Sequence, residues 1–456
     1  MRGFIVVDLG FGDSGKGLVT DFLVRRTGAA LVVRYNGGAQ AGHNVVTPDG
    51  IHHTFSQFGS GTLVPGVRTF LSRHVVIHPT ALLVERDALA AKGIRDAFQR
   101  LRISNRALVI THYHQAANRL REIARGPDRH GSCGIGFGET MQDALDFPDD
   151  AVRAGDLSDP GVLRRKLDGI RKRKREELAV LCGDRRDEPA FQTELGLFDN
   201  PDFTERWIAS VAQLAQAGLI ESDSNLAQWM GNSPAVIFEG AQGVLLDEDY
   251  GFHPYTTWSR CTAANAEELV AENFPALRPH KVGVLRSYAV RHGPGPLPTE
   301  TGGLASAVSD HNTAGEWQGN VRYGWFDAVL ARYALEAAGG VEHLAVTHMD
   351  VPPRLGKWRA CGEYETRRDG DFFPQDIFGS GKSLTRLPLL SGSLLAQRTR
   401  LTRALFHAGP KIETYEADEK AVLEKIESHL GLPVDLISCG PRAEDVTVFE
   451  GFAGKE

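Results

Sequence analysis

Residues 6–17, VVDLGFGDSGKG, constrain this chain more than any other stretch. An apolar run from Phe4 to Val7 leads into Asp8, a glycine-rich loop with one lysine, and a helical LVTDFLVRR, so the segment reads as strand, loop and helix. Gly10 to Lys16 fits G-x-x-x-x-G-K. In that pattern glycines let backbone N–H groups crowd a polyphosphate, the helix N-terminus adds its positive end, and the lysine adds charge. Ser or Thr ordinarily follows the lysine to hold Mg²⁺, but Gly17 stands there, so a metal needs another ligand and Asp13 is the nearest.

Strand-like and helical patterns alternate along the rest of the 456 residues: Ala29 to Tyr35, Arg68 to Leu71, Ala107 to Ile110, Val236 to Phe238, Val282 to Ser287, Leu344 to Thr347 and Val434 to Ser438 are the strand-like runs. This alternation predicts an α/β fold with a large central, mainly parallel sheet flanked by helices. Length leaves the domain count open, and two stretches, at about 184–201 and 367–398, read as surface insertions. A net charge of −7 with interspersed signs provides no basic field for nucleic acid. No apolar run reaches the roughly 20 residues of a membrane span, and the first strand starts at once, so a cytoplasmic protein is expected. Five scattered cysteines without a C-x-x-C pair predict reduced thiols and no zinc site.

Further glycine-rich loops follow the strands. NGGAQAGHNV carries Gln40 and His43, and in an open α/β sheet it meets the first loop in one crevice, so His43 can reach the same phosphates. RHGSCGIGFGE offers Ser132 and backbone amides to an anion, and EGAQGVLLDEDYGFHPYTT places Glu239 and Gln242 just past a strand end, where an amide can bond a base. His112 and His114, two apart, read as a polar strand end, since no acidic or cysteine partner stands at ligand spacing. The run Arg171 to Arg175 reads as a solvated helix face.

GDSGKG at 12–17, GGAQAGH at 37–43, FEGAQGVLLDEDYGFHPYTT at 238–257, RHGPGPLPTE at 291–300, GWFD at 324–327 and ISCGP at 437–441 resemble, in the same order, the adenylosuccinate synthetase family. The resemblance implies one domain over 1–456 with a helical subregion at about 81–230, and a C–N ligase, usually a homodimer, that uses GTP and Mg²⁺ to phosphorylate the 6-oxygen of IMP and then displaces phosphate with the amine of aspartate. It matches Asp13 to the base and metal ligand, His43 to the acid, Lys16 to phosphate charge, Gln242 to the purine amide and the Gly42 carbonyl to the metal. Gly12, Ser14, Gly15, Gly17, Gly42, Asp350, Ser438 and Gly440 would line the donor nucleotide, with Asp350 reading guanine N–H groups. Gln40, Ser132, Thr257, Asn320 and Arg322 would meet the substrates, Thr257 at the 5′-phosphate.

The departures from the family pattern are as informative. Ser14 replaces a glutamate, His348 a lysine, Gln40 an asparagine, and HGSCG replaces TTGRG, leaving Ser132 as the hydroxyl donor. Of a run of arginines before GWFD only Arg322 remains, with Gln318 and Asn320 beside it. An amino dicarboxylate needs at least two clamps, so the altered set leaves aspartate and another amine both open, and likewise IMP and dGMP or GMP. A catalytically silent nucleotide-binding protein is the third alternative, and the retention of Asp13, Lys16 and His43 argues against it.

Overall fold

The computed structural model describes residues 1–126, 132–183, 188–308, 319–365, 383–390 and 395–453. Its centre is a ten-stranded sheet. In chain order the strands are β1 (Arg2–Asp8), β2 (Leu31–Arg34), β3 (Arg68–Leu71), β4 (Leu101–Ser104), β5 (Ile220–Glu221), β6 (Ala235–Glu239), β7 (His280–Arg286), β8 (His343–Thr347), β9 (Leu436–Ser438) and β10 (Val446–Val448). In space they run β10-β9-β8-β7-β1-β6-β2-β3-β4-β5, all parallel except for the antiparallel edge strand β10. The expected mainly parallel sheet is present.

β1 lies at the middle because its run FIVV is apolar on both faces, as a strand covered by helices on both sides requires. Ile5 and Val7 pack into one core with Phe238 and Val346, while Phe4 and Val6 face Val19, Phe22 and Leu23 of helix α1 (Lys16–Thr27). Register pairs Val6 with both Glu239 of β6 and Val282 of β7. The carboxyl ends therefore share one edge, and the loops leaving β1, β2, β6, β7 and β8 converge there, on either side of the point where the strand order reverses.

Beyond β2, helices His112–Arg125, Phe137–Asp146, Pro160–Cys182, Pro189–Asp199 and Pro201–Gln216 build a separate core. Three sequence readings are corrected here. Of the stretch at 184–201, the described part 188–201 is no surface appendage, since Phe191 and Phe198 of its helix are fully buried in that core. His112 and His114 sit on the first helical turn, not on a strand, and the His114 ring completes a capping box with Thr111. Nor is the basic run wholly solvated. Lys174 is 1% exposed and pairs with Glu139 and Asp143, both at 3.0 Å, while Arg173 reaches Asp150 at 2.7 Å. Burial raises the Asp143 carboxyl, but His114 and Lys174 outweigh it and hold the group far below the usual carboxylate range. Within the run Lys172 and Arg175 stay exposed, and Lys174 alone is buried, against the two acids. The second expected insertion, 367–398, falls largely outside the described residues. No described helix is long and apolar enough to cross a membrane.

Removing one partner of a buried ion pair leaves the others uncompensated. Lys174→Ala is expected to destabilise the folded chain by about 3 kcal/mol or more, read from urea denaturation.

Candidate active site

Asp8 at the end of β1 organises the first loop. Its carboxylate accepts from Gly10 N (2.8 Å), Gly12 N (3.3 Å), Ser14 N (2.8 Å), Ser14 Oγ (2.9 Å) and Lys16 Nζ (2.9 Å). Lys16 Nζ also donates to Gly12 O at 2.6 Å, so two of its three N–H groups are used within the loop. Ser14 is thus a part of the loop's own bonding: its hydroxyl faces Asp8 and its carbonyl accepts from Thr347 Oγ1 at 2.8 Å.

The loops interlock at backbone distance. A Cβ on Gly12 would stand 3.2 Å from the backbone of Gln242, one on Gly243 would collide with Gly10 O, and one on Gly37 would stand 2.6 Å from Ala241 Cβ. At Gly17 a Cβ would meet Asn44 O at 2.9 Å and His43 Cβ at 3.0 Å. The metal-binding Ser or Thr of an ordinary phosphate loop is therefore excluded because the strand His43–Val46 crosses that turn of helix.

Several buried polar side-chain atoms here have no hydrogen-bond partner among the described residues. Gln242, at φ 54°, has both amide atoms buried and unbonded; Gln40 Oε1 and His43 Nε2 are likewise buried and unbonded. Gln242 lies against Gly37 and Gln40 against Gly38, so the two amides flank consecutive glycines. Buried polar atoms that the fold leaves unpaired cost free energy unless a ligand bonds them, which marks this as a ligand cradle.

His43 is oriented from behind. Its Nδ1 lies 2.6 Å from Glu239 Oε1, and Glu239 in turn accepts from Ser60 N at 2.9 Å and from the Ser60 hydroxyl. Burial and then the Arg34 charge push the imidazole down to about 4 against the pull of Glu239. With protein alone around it the ring is neutral, its Nδ1–H given to Glu239 and its Nε2 lone pair turned inward. Sequence reasoning placed Glu239 at the strand end and missed this partnership; the signal was a carboxylate at a buried strand terminus, where it must find a donor.

Asp13 is half-buried, with Oδ2 2.7 Å from His292 Nε2 and its backbone carbonyl bonded by Arg286 Nε. Burial raises its carboxyl, but the His292 hydrogen bond and charge, with Arg286 and Lys16, overcome that and hold it below its ordinary value. His292 was not foreseen.

Of the remaining expected residues, Gly15 and Ser438 meet the end of β8 and the turn after it, at Thr347 and Met349. Ser132 Oγ accepts from Asn118 Nδ2 at 3.0 Å; the Thr257 amide bonds Leu246 O; Asn320 is exposed and accepts Gly293 N at 3.2 Å. Gly15 begins α1 at φ 94°, Gly42 is exposed, Ser438 O accepts Met349 N, and a Cβ on Gly440 would collide with Asp445. Asp350 is paired with Arg354 Nη2 at 2.7 Å, and His348, at φ 57°, bonds Thr347 Oγ1 at 2.9 Å through Nδ1. Arg322 needs correction as a free substrate clamp. Its three guanidinium nitrogens go to Gly293 O (3.0 Å), Gly295 O (2.7 Å) and Glu300 (2.7 Å). Gln318 lies outside the described residues.

A parallel sheet whose carboxyl edge carries a phosphate-type loop, a His–carboxylate pair and unpaired amides defines an α/β protein of the nucleotide-handling kind. The chain belongs to the adenylosuccinate synthetase family, C–N ligases of purine biosynthesis, whose family model matches residues 5–447. It is 30% identical over 454 residues to the adenylosuccinate synthetase of Neisseria gonorrhoeae (strain ATCC 700825 / FA 1090), covering 98% of each chain. It is 31% identical over 473 residues to that of Pseudomonas aeruginosa (strain LESB58), covering 99% of this chain and 100% of the relative. Among solved structures, the fully ligated adenylosuccinate synthetase of Plasmodium falciparum superposes with a TM-score of 0.72 at 21% identity, over 98% and 99% of the two chains. The succinoaminodeoxyadenylate synthetase of cyanophage S-2L, bound to dGMP and to dATP as an energy donor, gives 0.58 at 18% identity, over 98% and 95%.

Two outcomes follow from this packing. Gly17→Ser, which restores the ordinary phosphate-loop residue, is expected to cost about 2 kcal/mol in urea denaturation, because the added atoms press on Asn44 and His43. His43, His78 and His112 are each pushed down to about 4, burial being the first cause. The unfolded chain therefore binds more protons between about 4 and 6.5, and the stability these histidines contribute is full above 6.5 and lost as pH falls through 4. Asp327, raised by burial to about 6, acts oppositely, as do the carboxyls of Asp21, Glu194, Asp247 and Glu248, raised by the same cause, while His74, His114, His348 and His429, also lowered by burial, add to the histidine effect. The urea midpoint is expected to be lower at pH 5 than at pH 7.

Proposed function

We propose that the chain is a GTP-dependent ligase that phosphorylates the 6-oxygen of an IMP-like nucleotide and displaces the phosphate with the amine of aspartate. The product is an N6-succinyl purine nucleotide. The observation that carries this reading is the set of unbonded buried atoms on Gln242, Gln40 and His43 beside the loop of Asp13 and Lys16. Those atoms match a ligand with both a polar ring edge and phosphates.

Asp13 takes the N1 proton of the purine, which frees the 6-oxygen to attack the γ-phosphorus as the bond to GDP breaks. The amine then attacks C6 and phosphate leaves. Gln242 holds the ring, and Lys16, bonded to Asp8 and Gly12 O, has one N–H left for the phosphates. A phosphoryl group beside His43 Nε2 favours uptake of one proton from solvent as the nucleotides bind, because the ring then lies between that charge and Glu239; the imidazolium so formed donates through Nε2. Mg²⁺ fits the donor set: it takes hard oxygen ligands, usually one or two from protein plus substrate phosphates, and the Asp13 carboxylate and exposed Gly42 carbonyl are such ligands. When bound it neutralises phosphate charge.

One observation favours a second reading, in which the amine or the nucleotide differs. The Arg322 fork is filled by the protein, leaving no free arginine clamp for a dicarboxylate among the described residues 319–324. Phosphate release from GTP and Mg²⁺ with a matrix of IMP, GMP and dGMP against amino acids separates the two. Turnover is expected with IMP and aspartate, and turnover confined to other pairs would favour the second reading. Asp13→Asn and His43→Ala are each expected to lower kcat by about 10²–10⁴. No release from any pair would leave a non-catalytic nucleotide-binding protein.

A further inference from the structure

His292 ends the strand Ala289–His292, which pairs antiparallel with Val321–Gly324 so that Arg291 lies opposite Arg322. The next four carbonyls are captured alternately by these two arginines. Arg322 Nε bonds Gly293 O (3.0 Å), Arg291 Nε bonds Pro294 O (3.1 Å), Arg322 Nη2 bonds Gly295 O (2.7 Å) and Arg291 Nη1 bonds Pro296 O (3.0 Å). Arg291 is 1% exposed, and its guanidinium also lies 4.3 Å from the ring of Phe11, two residues before Asp13. Desolvating a guanidinium is costly, and here it fixes one loop rigidly while tying it to the other. A third arginine, Arg286, bonds the Asp13 carbonyl. Both ends of the His292–Asp13 contact are therefore anchored independently of the contact itself.

A carboxylate on a loop tip has one weakly restrained torsion that decides which oxygen faces a substrate. The 2.7 Å ion-pair contact from His292 Nε2 is to Oδ2, and no described residue donates a hydrogen bond to Oδ1. We propose that His292 is the positioning residue for Asp13: its Nε2–H holds Oδ2 and thereby presents Oδ1 to the purine proton. The proposal rests on the reading of Asp13 as the proton acceptor. It also gives Arg322 a role that substrate binding does not, as part of the clasp that fixes His292. A carboxylate misplaced by an ångström costs on the order of 10² in rate while leaving substrate binding intact.

The test compares His292→Leu, which removes the donor, with His292→Gln, whose amide nitrogen reaches the place of Nε2. Phosphate release is followed with GTP, Mg²⁺, IMP and aspartate. His292→Leu is expected to lower kcat by about 10–100-fold with KM for IMP within about threefold, and His292→Gln to recover to within about fivefold of wild type, both with the wild-type urea midpoint. In an Asp13→Asn background, His292→Leu is expected to cause no further loss. An unchanged kcat, equal losses in the two variants, or losses that multiply with Asp13→Asn would overturn the inference. Wild-type turnover in Asp13→Asn would instead remove the reading of Asp13 and this inference with it, whereas an inactive Asp13→Asn beside a normal His292→Leu removes the inference alone.

Discussion

The site depends on a carboxylate that would touch neither substrate. Asp8 is buried at the end of β1 and gathers three backbone N–H groups, a hydroxyl and the Lys16 ammonium. An isolated carboxylate so buried would be prohibitive; with a cation and four neutral donors it is stable and determines the loop's path. The position of Asp13, the direction of the loop amides and the start of α1 all follow from it. The interlocking glycines then carry that position across to the loops after β2 and β6, because backbones in contact cannot shift separately.

The chemistry-bearing groups come in pairs drawn from different strands. His43 is seated by Glu239 and Asp13 by His292, so each group that would handle a proton has its orientation set by a second titratable group on another loop. Such pairing turns a flexible loop side chain into one with a defined face, which catalysis by positioned acids and bases demands. The parallel register makes this possible, because it brings the loops after β1, β2, β6 and β7 to a common edge.

The sheet was legible because FIVV, LVV, AVIF and VGVL are continuous apolar runs of strand length, and such runs have little choice but a doubly covered parallel sheet. The loop glycines and Asp13, His43 and Gln242 were legible through their spacing. Partnerships between distant residues were not: nothing local pairs His292 with Asp13 or Glu239 with His43. Gly17 could be seen as a missing hydroxyl, but its cause, a strand crossing the helix start, is tertiary. Lys174 shows the same limit, since a basic run looks identical whether its face meets water or Asp143.

The departures from the family pattern do not fall at random with respect to chemistry. Proton and phosphoryl handling is assigned to Asp13, Lys16, His43 and Gln242, all present and gathered around interlocked loops. Ser14 is absorbed into the bonding of Asp8, Arg322 into the clasp behind His292, and Asp350 into an ion pair with Arg354. Each of these side chains is bonded within the protein. These departures and the support of the reacting groups are not independent. His43 and Asp13 are held from the sheet through Glu239 and Asp8, but Asp13 is also met by His292, whose turn Arg322 braces, so a change at Arg322 or in the 293–296 turn reaches the reacting carboxylate.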